Sequence, residues 1–175
     1  MLKLHELLLS FVYSGKVKKA PGTMGSLASL IFWLLITFFF YDRQATLFYQ
    51  NIFWGVFLII AFTYGCMASP IYTKQFGQID HQTIVLDETV GQILALQFTF
   101  AFIHENYFTN LGLIAAHLIF CFTSFRFFDI VKPSFIGHID RKFKNGFGVM
   151  FDDLVCGVVT ALLGFLFLKL TLMIR

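Results

Sequence analysis

Five stretches of the chain are nearly free of charge: about Thr23 to Tyr41, Ile52 to Ala68, Thr89 to Ile103, Leu111 to Phe128 and Leu154 to Met173. Several approach the roughly 20 residues that a helix needs to cross hydrocarbon. The run from Thr89 is shorter and carries Gln92 and Gln97, which predicts a tilted segment partly covered by protein. The pattern as a whole predicts an all-α, polytopic transmembrane helical bundle of about five spans. Ahead of it, MLKLHELLLSFVYSGKVKK has no small-residue cleavage site after its apolar stretch and does not read as a removable signal peptide. It predicts an N-terminal amphipathic helix lying at the interface and a basic loop over residues 1–20. No Pro-, Gly- or Ser-rich linker divides the chain, so residues 1–175 read as one domain, with 21–173 forming the membrane bundle.

Composition supports this reading. Hydrophobic residues make up 58% of the chain and charged residues 13%, against about 25% charged in soluble domains. The mean hydropathy is +0.77. A net charge of +3 is too small for a nucleic-acid footprint, and the distribution of cations says more. With five spans, one side receives Lys3, Lys16, Lys18, Lys19, Lys74, Arg126, Lys132, Arg141, Lys142 and Lys144, and the other only Arg43, Lys169 and Arg175. Lys and Arg are retained in cytoplasmic loops, so the N-terminus is expected in the cytoplasm. The same face receives Asp80, Asp87, Glu88, Asp129, Asp140, Asp152 and Asp153, seven of the ten carboxylates. Cys66, Cys121 and Cys156 are isolated in apolar runs, as small hydrophobes are, and His117 inside a span calls for a partner on a neighbouring helix.

Two acidic pairs carry the strongest chemical signal. Asp87 with Glu88, and Asp152 with Asp153, each stand where an apolar run begins. A helix dipole stabilises an N-terminal carboxylate by only about 0.3 to 1 kcal/mol, enough for one capping acid and not for two pairs. Hard oxygen ligands suit Mg²⁺, which takes one or two carboxylates and keeps positions for water and substrate phosphate. Capping together with salt bridges is the competing explanation for either pair alone. In APGTMGSLASL, Gly22, Thr23, Gly25 and Ser26 offer backbone and hydroxyl donors to an anion, or form an ordinary capped helix start. In FRFFDIVKP, Arg126 and Asp129 share a helix face. There Asp129 either orients Arg126 or binds metal, and Arg126 and Lys132 either grip phosphate or close a plain ion pair. The loop with Asp140, Arg141, Lys142 and Lys144 attracts anionic head groups as well as marking topology. His81 beside Asp80 is either structural or a second layer around a metal. CxxC, HExxH and GxSxG motifs are all lacking, which removes thiol redox, zincin and nucleophile-elbow chemistry.

In order along the chain, PGTMGSLASLIFW, DHQTIVLDETVGQ, FRFFDIVKPSFIGHIDR and GFGVMFDDLVCGVV resemble the phosphatidylglycerophosphatase A family, from about Pro21 to Val159. The matching positions are Thr23, Gly25, Ser26, Asp80, His81, Asp87, Glu88, Gly91, Arg126, Asp129, Lys132, Pro133, Asp140, Gly148, Asp152 and Asp153. Two departures fall in a loop: Ser134-Phe135-Ile136 stands where the family commonly has Trp-Pro-Ile, and Asn145-Gly146 where it has a double glycine.

The resemblance implies a Mg²⁺-dependent phosphatase of the bacterial cytoplasmic membrane that converts phosphatidylglycerophosphate to phosphatidylglycerol and inorganic phosphate, its site facing the cytoplasm. The residues expected at the metal are Asp87, Glu88, Asp152 and Asp153, with Asp80 or Asp129 as a further ligand or in a surrounding layer. Lys132 and Arg126 are expected to balance phosphate charge, with Thr23, Gly25, Ser26 and Arg141 at the substrate. Direct attack by water is preferred over an aspartyl-phosphate intermediate. The implied partners are a lipid and the membrane, without nucleic acid, and nothing in the sequence signals an oligomeric state. A small transporter or channel is the alternative, and it would place its acids near the bilayer midplane rather than at the ends of apolar runs. A non-catalytic lipid-binding scaffold would need the basic loop and not the paired carboxylates.

Overall fold

The computed structural model of the chain describes residues 2–42, 47–74, 81–107, 110–133, 136–137, 143 and 145–173. Its helices are α1 (Leu2–Leu9), α2 (Pro21–Asp42), α3 (Leu47–Thr73), α4 (Leu86–Tyr107), α5 (Leu111–Val131) and α6 (Gly146–Met173), with a 3-10 turn at Ser14–Lys16. The described residues contain no strand. Helices α2, α3, α5 and α6 are each long and apolar enough to cross a membrane. Their outer faces expose Leu35, Phe38, Ile59, Ile60, Met67 and Ile130, an apolar surface suited to lipid and hazardous in water. The protein is a membrane protein.

Helix α4 has the reach of a span, with 22 residues at about 1.5 Å each giving roughly 33 Å, but a more polar sequence. It can be polar because it packs against all four apolar helices. Thr89, Gln92, Gln97 and Thr99 are all buried on it. Ser29 of α2 donates to Thr89 Oγ1 at 2.8 Å, and Trp33 Nε1 of α2 donates to Gln97 Oε1 at 2.9 Å. Gln97 Nε2 in turn donates to Asn51 Oδ1 of α3 at 2.7 Å, and His117 of α5 pairs with Thr99 Oγ1 at 2.8 Å. Hydrogen bonds between helices in lipid contribute about 0.6 kcal/mol each on average, so this set fixes register more than it supplies stability. The covered, partly polar segment expected from Thr89 is this helix, and the partner expected for His117 is Thr99.

Helices α4 and α6 meet backbone to backbone. A Cβ on Gly157 would strike the backbone of Gly91, and one on Gly91 would strike the Asp153 carbonyl and the Phe125 ring. Small residues at such a crossing allow the close approach on which helix packing in membranes depends.

Two boundaries differ from the sequence expectation. Helix α6 starts at Gly146, well before Leu154, because Asn145 Oδ1 accepts from Gly148 N at 2.9 Å as a cap and Phe147 stacks on Phe151 at 4.9 Å. Asp152 and Asp153 therefore lie about two turns inside a helix, beyond the reach of its dipole. The N-terminal helix is present but stops at Leu9, because Phe11, Val12 and Tyr13 adopt positive φ values of 40, 56 and 64°. Leu9 is fully buried and its carbonyl accepts from Val85 N at 2.9 Å, so α1 is fastened to the bundle as well as exposing Leu2 and Leu4.

The glycine crossing yields a test. Gly157→Leu is expected to overpack the α4/α6 contact and cost about 1–3 kcal/mol, or roughly 2–4 °C of melting temperature per kcal/mol. Gly55, which has open space around its Cα, is the control, and Gly55→Leu is expected to leave the melting temperature in detergent unchanged.

Candidate active site

The chain runs alternately up and down, so α2, α4 and α6 begin at the end of the bundle where α3 and α5 finish. A cavity of about 400 Å³ opens at that end, walled by the first turn of α2, the start of α4, the end of α5 and the second turn of α6. A second cavity, about 470 Å³ beneath α1, is lined by residues such as Leu8, Phe57 and Ile60 and, among the described residues, by no charged group.

Among the described residues, five carboxylates line the polar cavity, Asp87, Glu88, Asp129, Asp152 and Asp153, against two cations, Arg126 and Lys132. Asp87 is 7% exposed and Asp152 and Asp153 are each 3% exposed, so water screens this surplus poorly. The acids divide into two sets. Asp87, Glu88 and Asp153 each offer an oxygen, and these oxygens lie within 4.8 Å of one another. Asp129 and Asp152 instead face cations: Arg126 Nη1 stands 2.6 Å from Asp129 Oδ2, and Lys132 Nζ stands 2.5 Å from Asp152 Oδ2.

Helix geometry explains the division. On α6 the neighbouring residues Asp152 and Asp153 point about 100° apart, so Asp153 meets the acids of α4 while Asp152 meets the end of α5. On α5, Arg126 and Asp129 share a face, and Arg126 also reaches Glu88 Oε1 at 3.7 Å and donates to Ser26 Oγ at 3.3 Å. Gly22 gives this network its room, since a Cβ there would collide with Glu88 and the Arg126 guanidinium. Glu88 stands in the first turn of α4, outside the four apolar spans. Its carboxyl is raised to about 8: burial is the largest cause, the charges of Asp153 and Asp129 add to it, and hydrogen bonding to Asp87 and the Arg126 charge oppose it. Its Oε2 is buried without a hydrogen-bond partner among the described residues. A carboxyl raised by burial and like charges is one that an added cation would bring down.

The expected site residues are thus placed as follows. Asp87, Glu88, Asp129, Lys132, Asp152, Asp153, Arg126 and Thr23 all border one cavity. Ser26 is buried behind it, holding Arg126. Gly25 turns away, since a Cβ there would press on the Val85 side chain, and the segment from Thr23 to Ser26 is the opening of α2 rather than a loop curled round an anion. Asp80 and Arg141 lie outside the described residues. Gln82, Ile84, Ile130 and Val149 also line the cavity, and their types gave no chemical signal in the sequence. His81 bonds Thr83 Oγ1 at 2.8 Å. The three cysteines are free, with Cys121 and Cys156 buried.

The family model described as phosphatidylglycerophosphatase A matches residues 7–168. A phosphatidylglycerophosphatase A of Haemophilus influenzae is 33% identical over 162 residues, covering 93% of this chain and 86% of the relative. One of Escherichia coli is 34% identical over 157 residues, covering 90% of this chain and 78% of the relative. No solved structure matches the chain. The chain belongs to the phosphatidylglycerophosphatase A family and is a phosphatase. The match extends beyond the motif region on both sides, into α1 and towards the far end of α6.

The Arg126 network generates a prediction. Removing one partner of a buried charge set costs about 3 kcal/mol or more, because it strands the others. Arg126→Gln is therefore expected to lower the unfolding midpoint, and adding Glu88→Gln to it is expected to recover part of the loss. Strict additivity of the two changes in a double-mutant cycle would contradict the coupling.

Proposed function

We propose that this member of the phosphatidylglycerophosphatase A family hydrolyses the terminal phosphate monoester of phosphatidylglycerophosphate. The products are phosphatidylglycerol and inorganic phosphate, as a step of phospholipid biosynthesis, with Mg²⁺ held by Asp87, Glu88 and Asp153. The observation that carries this reading is the meeting of those three carboxylates from two helices, beside two cations, at one end of a membrane bundle. The donor set fits the ion: the oxygens are hard and, among the described residues, the cavity holds a surplus of negative charge and Glu88 Oε2 has no hydrogen-bond partner. Asp80, which precedes the cavity residue Gln82 by two positions, is the candidate for a further ligand.

When bound, Mg²⁺ supplies polarisation of the phosphoryl oxygens and a lowered pKa for a coordinated water. The chain's own residues do the rest. Arg126 and Lys132 oppose the phosphate's charge from the α5 side, and the guanidinium presents paired N–H groups that suit phosphate oxygens. The first turn of α2, with Thr23 on the cavity wall, offers backbone N–H groups that no helical carbonyl takes up. Hydrolysis forms a bond from phosphorus to a water oxygen and breaks the bond to the glycerol oxygen, which leaves with one proton from the water. The site's place at the helix ends lets the head group enter while the acyl chains stay in the bilayer.

The excess of Lys and Arg on the site's side supports a cytoplasmic orientation in the bacterial inner membrane, with Arg141 and its neighbouring lysines drawing anionic lipid to the surface. Nucleic acid has no place in this reading. Transport is disfavoured by position, because the acids gather at one end of the bundle rather than at the midplane.

The test is release of inorganic phosphate from phosphatidylglycerophosphate by purified protein. Activity is expected with Mg²⁺ and not with chelator. A metal contributes several kcal/mol at the transition state, so Asp87→Asn and Asp153→Asn are each expected to lose about a hundredfold or more. Full activity in chelator, or in both variants, would refute the reading.

A further inference from the structure

The two members of the Asp152-Asp153 pair face different partners. Asp153 joins the oxygens of α4, while Asp152, only 3% exposed, holds the Lys132 ammonium at 2.5 Å. Lys132 is held from its backbone side as well. It caps α5 in the left-handed region, φ 41° and ψ 64°, with its N–H bonded to the Phe128 carbonyl at 2.9 Å. A side-chain-bearing residue is strained there, and Pro133 restricts it further. Strained backbone of this kind persists where the surroundings over-determine it, as at functional sites. The lysine side chain is 29% exposed and the Asp152 side chain 5%, so the amine stands on the cavity wall with its carboxylate behind it. Arg126 has the same arrangement on the same wall, backed by Asp129 and Ser26.

We propose that Asp152 is a positioning residue and not a metal ligand: it fixes the Lys132 ammonium where the substrate's terminal phosphate docks. Lysine is a flexible point charge with four rotatable carbons, and it needs such a partner to stay aimed, whereas an arginine is partly organised by its planar fork. The acidic pair is thus divided, Asp153 serving the cation-binding oxygens and Asp152 the anion-binding amine. This inference rests on the phosphatase reading above, and it concerns which acid does what.

The experiment measures Mn²⁺ affinity by electron paramagnetic resonance, inorganic phosphate affinity by product inhibition, and kcat and KM, on purified full-length protein. Asp152→Asn is expected to hold Mn²⁺ within about threefold of wild type and to bind phosphate and substrate about tenfold more weakly, one charge-assisted contact being at stake. Asp153→Asn is expected to weaken Mn²⁺ at least tenfold. A merely structural defect would lower the active fraction and hence the apparent kcat, without moving KM. Should Asp152→Asn fail to fold, the Asp152→Ala, Lys132→Met double variant removes both charges together, which is far gentler than stranding one. It is expected to keep Mn²⁺ and lose phosphate affinity to the same extent. Loss of Mn²⁺ in Asp152→Asn or the double variant, equal to that in Asp153→Asn, would overturn this inference alone. A wild type that binds neither Mn²⁺ nor phosphate would overturn the reading of the site and this inference with it.

Discussion

Like charges buried close together set the terms for the rest of this structure. Among the described residues, five carboxylates share one cavity with two cations, and most are nearly closed off from water. Repulsion between unit charges a few ångströms apart, at the low effective dielectric of a protein interior, amounts to several kcal/mol per pair. A fold carries such a cost only where the charges have partners, and here the partners are of two kinds. Asp129 and Asp152 have cations from the end of α5. Asp87, Glu88 and Asp153 converge on one another, with Arg126 at the margin, an arrangement that a divalent ion would complete.

The bundle is built to hold that arrangement in place. Helix α4 brings two of the converging acids and lies among four apolar helices, with Thr89, Gln97 and Thr99 turned to partners on three of them. Its tight glycine crossing with α6 sets the rotation of α6, and that rotation decides that Asp153 and not Asp152 meets the α4 acids. Alternating helix direction then gathers the open ends of α2, α4 and α6 with the closing turn of α5. A phosphate-sized anion entering from the lipid surface would meet guanidinium, amine and helix N-terminus in one place.

Much of this was legible in the sequence. The apolar runs marked the helices, Gln92 and Gln97 marked the covered one, and the acids at run boundaries are the ones that line the polar cavity. What remained hidden had physical causes. The start of α6 depended on an Asn145 cap and on Phe147 stacking on Phe151, so Asp152 and Asp153, which read as a threshold, lie inside the helix. The separate tasks of two adjacent aspartates depend on the rotation of α6, which only its packing on α4 determines. Gly25 resembled a phosphate-loop residue and proved to be a contact for Val85. Three aromatic or aliphatic residues in a left-handed stretch, Phe11 to Tyr13, ended α1 early, and no residue preference announces that.

Asp87, Glu88 and Asp153 are proposed together to bind a divalent cation. Anomalous scattering from crystals of the protein grown with Mn²⁺ tests it most directly. The expected peak is bounded by oxygens of those three residues, with Lys132 still seated on Asp152. A peak centred between Asp129 and Asp152, or full occupancy of Mn²⁺ elsewhere with that trio empty, would contradict it.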